Sequence, residues 1–310
     1  SVFSPSRAVN RIVWVYNLYM QNSITVLTPT DWTDYELIDS GNGAKLERFG
    51  AYIIARPDPR AIWQRRAPAE TWENAQATFV RGINDDGHWD IKNAPPSDWS
   101  VRYHDLVFTL KPTSFKHVGV FPEQAVNWAW MQDRIIGHKA KVLNLFAYTG
   151  GATMAAAIAG AEVTHVDSAK STIEWAKQNA AASGLSGASI RWINDDANKF
   201  VQREARRGNT YDGFILDPPR FGRGPKGEVW KIEENLPPLL AAIRPILAHQ
   251  PLFILINAYT ADLSSIVISH LLADLTRTLH GTSTAGELVL TDTTSGRLLP
   301  NGIFARWQAS

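Results

Sequence analysis

The sequence predicts an α/β protein, an open and mainly parallel sheet covered by helices, preceded by a smaller β-rich domain. Three observations predict it. After residue 138, short apolar runs alternate with Ala-rich or amphipathic segments of helix length. Before residue 115, β-like runs are punctuated by turn residues and by Trp- and Pro-rich connectors. The glycine-rich and acidic signals of the second half fall just after the predicted strands, where an open sheet of this type binds its ligands.

In the first part, runs at 35–38 and 51–55 flank Gly41-Asn42-Gly43, which reads as a hairpin turn. Further strands are expected at 76–82 and 106–111. The boundary is expected at 114/115, residues 1–114 forming a β-rich cover or recognition domain and 115–310 the sheet domain. There, the strand 141–146 leads through a glycine turn into the helix 152–159, stopped by Gly160. A second strand, 163–166, ends at Asp167. The next helix begins with a capping box, Ser171-Thr-Ile-Glu174, and stops at Gly184. Strands at 190–193 and 211–216 flank the helix 198–207. Pro238 is expected to start the helix 239–247, with Pro245 bending or ending it. A strand at 252–256, a helix at 263–275 and a closing strand pair at 287–290 and 302–307 complete the order.

The 310 residues suffice for one large domain or two modest ones, and 45% hydrophobic with 20% charged residues excludes a disordered chain. No run has the roughly 18 apolar residues a membrane helix needs. The most apolar early run, 12–20, is short, broken by Asn17 and without a signal-cleavage pattern, and the opening Ser1 suggests that the native start lies upstream. Cysteine is absent, which excludes disulfides, thiolate metal sites and a cysteine nucleophile and fits the reducing cytoplasm, the expected location. His88 and Asp90 are too isolated for a metal site, and none is expected. Net charge is only +1, so distribution matters more than the sum. Arginines bunch at Arg56, Arg60, Arg65 and Arg66 and at Arg203, Arg206 and Arg207, both read as solvated faces. A third bunch, Arg220, Arg223 and Lys226, lies inside a motif.

The strand-end residues carry the chemistry. Asn144-Leu-Phe-Ala-Tyr-Thr-Gly-Gly151 follows the first strand, and its two glycines permit a tight turn and close approach of backbone to a ligand. It is not Gly-x-Gly-x-x-Gly, which disfavours a nicotinamide dehydrogenase. Asp167 can accept from both ribose hydroxyls of a nucleoside cofactor or cap the following helix. Of Asp195 and Asp196, which precede Ala197, the second is preferred as the acceptor for an adenine amine. Asp217-Pro218-Pro219-Arg220-Phe221 is the most specific segment: two prolines fix the backbone into a rigid shelf, with the Asp217 carboxylate and the Pro218 carbonyl aimed at a planar substrate. Trp175, Trp192 and His165 read as packing residues, and Trp63, Trp89, Trp99 and Trp230 as possible stacking surfaces.

On these motifs, over roughly 115–260, the chain resembles the class I rRNA methyltransferases of the large-subunit methyltransferase I type and the guanine-N7 half of the bifunctional large-subunit enzyme. Trp175-Ala-Lys-Gln-Asn179 and Gly119-Val-Phe-Pro-Glu-Gln124 belong to the likeness. The latter resembles the family's cofactor lid, Phe121 and Gln124 matching, with Glu123 in place of Asp and Ala125 in place of Arg. The resemblance implies a Rossmann-like, seven-stranded methyltransferase sheet. It implies that S-adenosylmethionine is bound by Asn144, Phe146, the Tyr148-Thr149-Gly150-Gly151 turn, Asp167 with Ser168, Asp196 with Ala197, Asp217, and the lid through Phe121 and Gln124.

The chain departs from its cytosine-C5 relatives where their cysteine follows the fifth strand. Here the stretch reads Ile256-Asn257-Ala258-Tyr259, which excludes that covalent route, while Asn257 matches the Asn-containing guanine-N7 relatives loosely. Direct transfer to a nitrogen or oxygen remains, with Asp217, Pro218 and Asn257 as catalytic candidates and Pro219, Arg220, Phe221, Arg223 and Lys226 as substrate contacts. An RNA partner, rRNA foremost, is expected from the basic loop, with a small molecule or a protein side chain as the alternative acceptor.

Overall fold

The computed structural model describes residues 25–82, 87–224, 227–259 and 263–310. The first part contains β1 (Thr25–Leu27), β2 (Tyr35–Gly41), β3 (Ala44–Phe49), β4 (Tyr52–Pro57), α1 (Ala69–Glu73), β5 (Ala77–Arg81), β6 (Gly87–Ile91), β7 (Ser100–Tyr103) and β8 (Leu106–Thr109). Strands β2 to β6 form a five-stranded sheet in sequence order, and β7–β8 is a separate hairpin. The expected turn is present, but it joins β2 to β3, and the run at 51–55 lies in the following strand, β4. Strand β3 escapes apolar-pattern reading because it carries Lys45, Glu47 and Arg48. Its buried Glu47 is satisfied by Tyr35 and twice by Arg56, the compensation a buried carboxylate requires.

The second part contains α2 (Ala125–Ile135), β9 (Lys141–Leu145), α3 (Gly151–Ile158), β10 (Glu162–Asp167), α4 (Lys170–Ala182), β11 (Ile190–Asn194), α5 (Ala197–Arg207), β12 (Gly213–Leu216), β13 (Phe221–Arg223), β14 (Val229–Lys231), α6 (Ile232–Ile243), β15 (Phe253–Ala258), α7 (Ser265–Thr276), β16 (Gly281–Thr291) and β17 (Leu298–Ala309). Strand order is β1-β16-β17-β15-β12-β9-β10-β11, eight strands where seven were expected. The extra one is β1, which pairs parallel with β16. It fits because Gly286 has no side chain there: a Cβ would lie 1.7 Å from the Thr25 carbonyl oxygen. Strands β12 and β15 are buried throughout, as central parallel strands covered on both faces must be.

Two helix starts differ from expectation. Helix α4 starts at Lys170 without a side-chain cap, so Ser171-Thr-Ile-Glu174 lies inside the first turn and forms no capping box. Helix α6 starts at Ile232, placing Pro237 and Pro238 in its second turn. Both prolines are exposed, as are Glu233 and Glu234, whose carbonyls lose their helical donors and can turn to water.

The β7–β8 hairpin docks on α4: Thr109 donates its amide to Asn179 Oδ1 and Val107 to Ser183 Oγ, both at 2.9 Å. One buried apolar cluster runs from Leu37, Phe49 and Ile54 of the first sheet through Trp99, Phe108 and Trp128 to Val142, Met154 and Phe253. The chain leaves β9 toward β10 and β11, then returns to β12 on the other side of β9. A crevice opens beyond the carboxyl ends at this reversal. No described helix is long and apolar enough to cross a membrane.

Candidate active site

The turn after β9 is strained and tightly held. Phe146 and Tyr148 have φ of 58° and 48°, left-handed values that cost a non-glycine residue on the order of 1 kcal/mol or more. Tyr148 donates its amide to Asp167 Oδ2 at 2.9 Å, Thr149 Oγ1 donates to the Gly119 carbonyl at 2.6 Å, and Asn179 donates to the Thr149 carbonyl at 3.0 Å. Gly150, at φ 88°, supplies the turn, as its place in the motif suggested. Gly151 has a different purpose: a Cβ there would lie 2.6 Å from the Trp128 ring, so it makes room for packing. Asn144 is buried and donates to Thr153 Oγ1 at 2.9 Å, which in turn meets His165 Nδ1 at 2.9 Å. Burial lowers the His165 pKa to about 3, so this histidine is neutral and structural.

Asp167 caps no helix. Its Oδ1 accepts from Ala169 N at 2.9 Å while Oδ2 holds Tyr148, joining the two loops that border the crevice. Each oxygen keeps a lone pair, and the residue lines a cleft of about 530 Å³ together with Ser168 and Tyr148. Asp196 caps α5, accepting from Lys199 N at 3.0 Å. Asp195 is ion-paired with Arg203. With Phe146, Ala197 and Arg223, Asp196 lines a side recess of about 40 Å³ next to Asp167.

The Asp217-Pro218-Pro219 shelf follows β12. Asp217 Oδ1 is out of reach of solvent and has no hydrogen-bond partner. Burial, reinforced by the nearby Glu123, pushes its pKa up to about 7. Trp230 Nε1 holds the Pro219 carbonyl at 2.7 Å. The glycine-rich segment beyond is not a free loop: β13 and β14 pair as a hairpin, with Gly224 N bonded to the Glu228 carbonyl at 2.8 Å. Arg220 lines the main cleft, Arg223 faces the side recess, and Phe221 is 55% exposed and borders neither. Lys226 lies outside the described residues.

The far wall is built from long-range contacts. Phe121 packs against Tyr148 and Tyr259, with ring centroids 5.6 and 5.0 Å apart. Arg306, buried on β17, donates Nε to Asn127 Oδ1 at 2.8 Å. A guanidinium only donates, so it fixes the direction of every bond that follows. Asn127 Nδ2 must donate, to Gln124 Oε1 at 2.7 Å and Asn257 Oδ1 at 2.9 Å. Gln124 Nε2 then donates to Tyr259 Oη at 2.6 Å. Asn257 is thereby left with a donor amide, in a pocket of about 50 Å³ that it lines with Gln124, Asn144, Thr149 and Asp217. Tyr259, whose pKa burial raises well above its usual value, keeps its proton to donate into the main cleft.

Several lining residues carry no sequence signal of their own. Behind the lining, the buried Asn127 lies three residues after Gln124 and hydrogen-bonds it, a spacing the sequence does show. Strands β3 and β4 contribute Lys45 and Arg56, the loop after β4 contributes Asp58 and Arg60, and the segment before the lid contributes Lys116 and His117. Arg56 is buried against Glu47 and so is no solvated arginine. Trp63, Trp89, Trp99 and Trp230 each spend the indole N–H on a backbone carbonyl, and Trp99 and Trp230 are buried, so neither of these two presents a stacking face. Among the described residues no group of three or more metal-ligating side chains occurs.

The cleft volume falls within the roughly 300–1,000 Å³ usual for small-molecule sites. The ordered acids, the strained turn and the orphaned Asp217 oxygen suit a nucleoside cofactor lying across the strand ends with its reacting end toward the shelf. The family model for S-adenosylmethionine-dependent methyltransferases matches residues 83–249. A crystal structure of an S-adenosylmethionine-dependent methyltransferase from Agrobacterium tumefaciens is 43% identical, covering 92% of this chain and 94% of its own, with a TM-score of 0.88. A protein crystallised with S-adenosylhomocysteine shares the fold at 19% identity and a TM-score of 0.70, over 90% of this chain and 76% of its own. The ribosomal RNA large subunit methyltransferase K/L of Shewanella frigidimarina is 34% identical over 146 residues, 46% of this chain and 20% of the relative. The chain thus spans about a fifth of the length of that curated relative. It belongs to the S-adenosylmethionine-dependent methyltransferase family, and S-adenosylmethionine is its cofactor.

Proposed function

We propose that this methyltransferase transfers its methyl group to a nitrogen or oxygen of RNA, rRNA foremost, without a covalent enzyme intermediate. The observation that carries the proposal is Asp217. It is a strand-end carboxyl with one buried, unpartnered oxygen and a pKa near 7, on a proline shelf that faces a cationic wall. The printed names of the K/L relatives support the choice of acceptor.

The bound cofactor supplies a sulfonium whose methyl is already electrophilic. Asp167 and Ser168 would hold the ribose, Asp196 and Ala197 the adenine, and Phe146 and the Tyr148–Gly151 turn would hold the portion between them. Asn257, Gln124 and Asn144 provide polar contacts toward the reacting end, with Phe121 as an apolar cover. Pro218, Pro219 and Arg220 orient the acceptor. Asp217 accepts a hydrogen bond from the attacking group and, for an amine or hydroxyl, takes its proton, which a carboxyl of pKa about 7 can do at neutral pH. Positioning in line is the main task left to the protein. No cysteine is present to attack C6 of cytosine. We place the division between cover and catalytic domain at 114/115, with β1 crossing into the catalytic sheet, and the reaction in the cytoplasm.

Nucleoside mass spectrometry of total RNA from a deletion strain tests this. A methylated nucleoside other than 5-methylcytosine should disappear and return on complementation. An unchanged RNA profile, with a methylated metabolite or protein lost instead, would move the acceptor to the alternative class.

A further inference from the structure

The cationic wall contains more positive charge than its own acids neutralise. Lys45 and Arg56 stand directly opposite each other on β3 and β4, a cross-strand pairing of like charges that is unfavourable unless something compensates it. Glu47 accepts two bonds from Arg56 and lies 3.4 Å from Lys45 Nζ. Asp58 pairs with Arg60 at 3.0 Å and lies 3.9 Å from Lys45. These two carboxylates therefore serve three cations, and a fourth, Lys116, hydrogen-bonds the Pro57 carbonyl at 3.2 Å. Glu123, the third acid on this wall, is fully buried, and burial favours its protonated form. His117 is held neutral, its pKa lowered to about 3 by burial and by Arg56, Lys116 and Lys45.

We propose that Lys116 and Arg60, backed by Lys45 and Arg56, form an anion subsite that receives a phosphate of the acceptor. It lies on the wall formed by the first sheet, in the same cleft as Asp217 and the proline shelf, so a phosphorylated group bound there would bring its neighbouring atoms toward Asp217. The substrate grip thus extends beyond the Arg220 segment to the β-rich part. Burial, opposed by Asp58 and reinforced by Lys45, Arg56 and Arg60, lowers the Lys116 pKa to about 8. The subsite specifies phosphate chemistry, and its assignment to an RNA phosphate rests on the function proposed above.

The test uses the full chain saturated with S-adenosylhomocysteine, an amine-selective acylating reagent at pH 8, and peptide mass spectrometry. Inorganic phosphate is the probe. A bound dianion should raise the Lys116 pKa by about one unit and cut its neutral fraction, and so its labelling rate, about fivefold. The exposed Lys139 should label at an unchanged rate. Equal labelling of Lys116 with and without phosphate overturns the subsite whatever RNA assays report. As a second readout, phosphate should raise the melting temperature of the wild type and not of Lys116→Met. An equal rise in both would also overturn it. Protection of Lys116 by phosphate, with no methyl transfer to RNA, would support the subsite and remove the RNA reading.

Discussion

The two walls of the cleft are built on opposite plans. On the cofactor wall, the two acids sit at the ends of their own strands and bind backbone amides of the adjoining loops: Asp167 binds Tyr148 N and Ala169 N, and Asp196 caps the helix it precedes. On the acceptor wall, groups far apart in sequence hold one another, as Lys45 holds Asn301 and, behind it, Arg306 holds Asn127. Local construction makes the cofactor wall modular, with acids that can be removed one at a time. The acceptor wall depends on the first sheet, the lid and the last strand being packed together.

The contrast yields graded predictions. The largest effect should come from Asp217→Ala, which should lower kcat by about a hundredfold or more, the scale of a lost general base, with cofactor affinity changed far less. In wild type the rate should rise with pH through about 7 as the carboxyl ionises, and this rise should vanish in Asp217→Asn. The linkage has a definite sign. A carboxyl whose pKa is raised by folding stabilises the fold at low pH, and that contribution is lost as pH climbs from the ordinary carboxylate range through about 7. Asp217→Asn should therefore gain stability relative to wild type between pH 5 and pH 8 in denaturant melts, and a constant difference would contradict the buried, unpartnered carboxyl.

Asp167→Ala should weaken S-adenosylhomocysteine binding by roughly 1.5–3 kcal/mol by calorimetry, since it removes a charged acceptor and frees two loops. Unchanged affinity would remove Asp167 from the site. Arg306→Leu should cost about 1–3 kcal/mol of stability by leaving Asn127 Oδ1 buried without its donor, and should lower kcat more than it weakens cofactor binding. Equal losses in both would blur the distinction between the walls. The smallest change should be Asp196→Ala, about 0.5–2 kcal/mol of stability for the lost helix cap, with a weaker effect on cofactor affinity than Asp167→Ala.

The same contrast explains what could be read from the chain alone. Periodicity and turn residues located the parallel strands, because β12 and the first four residues of β15 are uninterrupted buried apolar runs. Asp167 and Asp217 stood out because strand ends are short-range features. Strand β3 did not, since its charged Glu47 and Arg48 find partners on the neighbouring strands β2 and β4. The start of α6 was obscured by Pro237 and Pro238, which read as a helix beginning although their side of the helix is exposed. Arg306 and Lys116 carry no local pattern: the first acts where β17 meets α2, the second where the segment before the lid meets the end of β4.

The central claim is tested most directly by incubating the full chain with methyl-labelled S-adenosylmethionine and RNA from a deletion strain, then identifying the labelled nucleoside. The account predicts label on a nitrogen or oxygen of a nucleoside, rising with pH through about 7 in wild type and slowed about a hundredfold or more in Asp217→Ala. Label in 5-methylcytosine, or full transfer by Asp217→Ala, would contradict it.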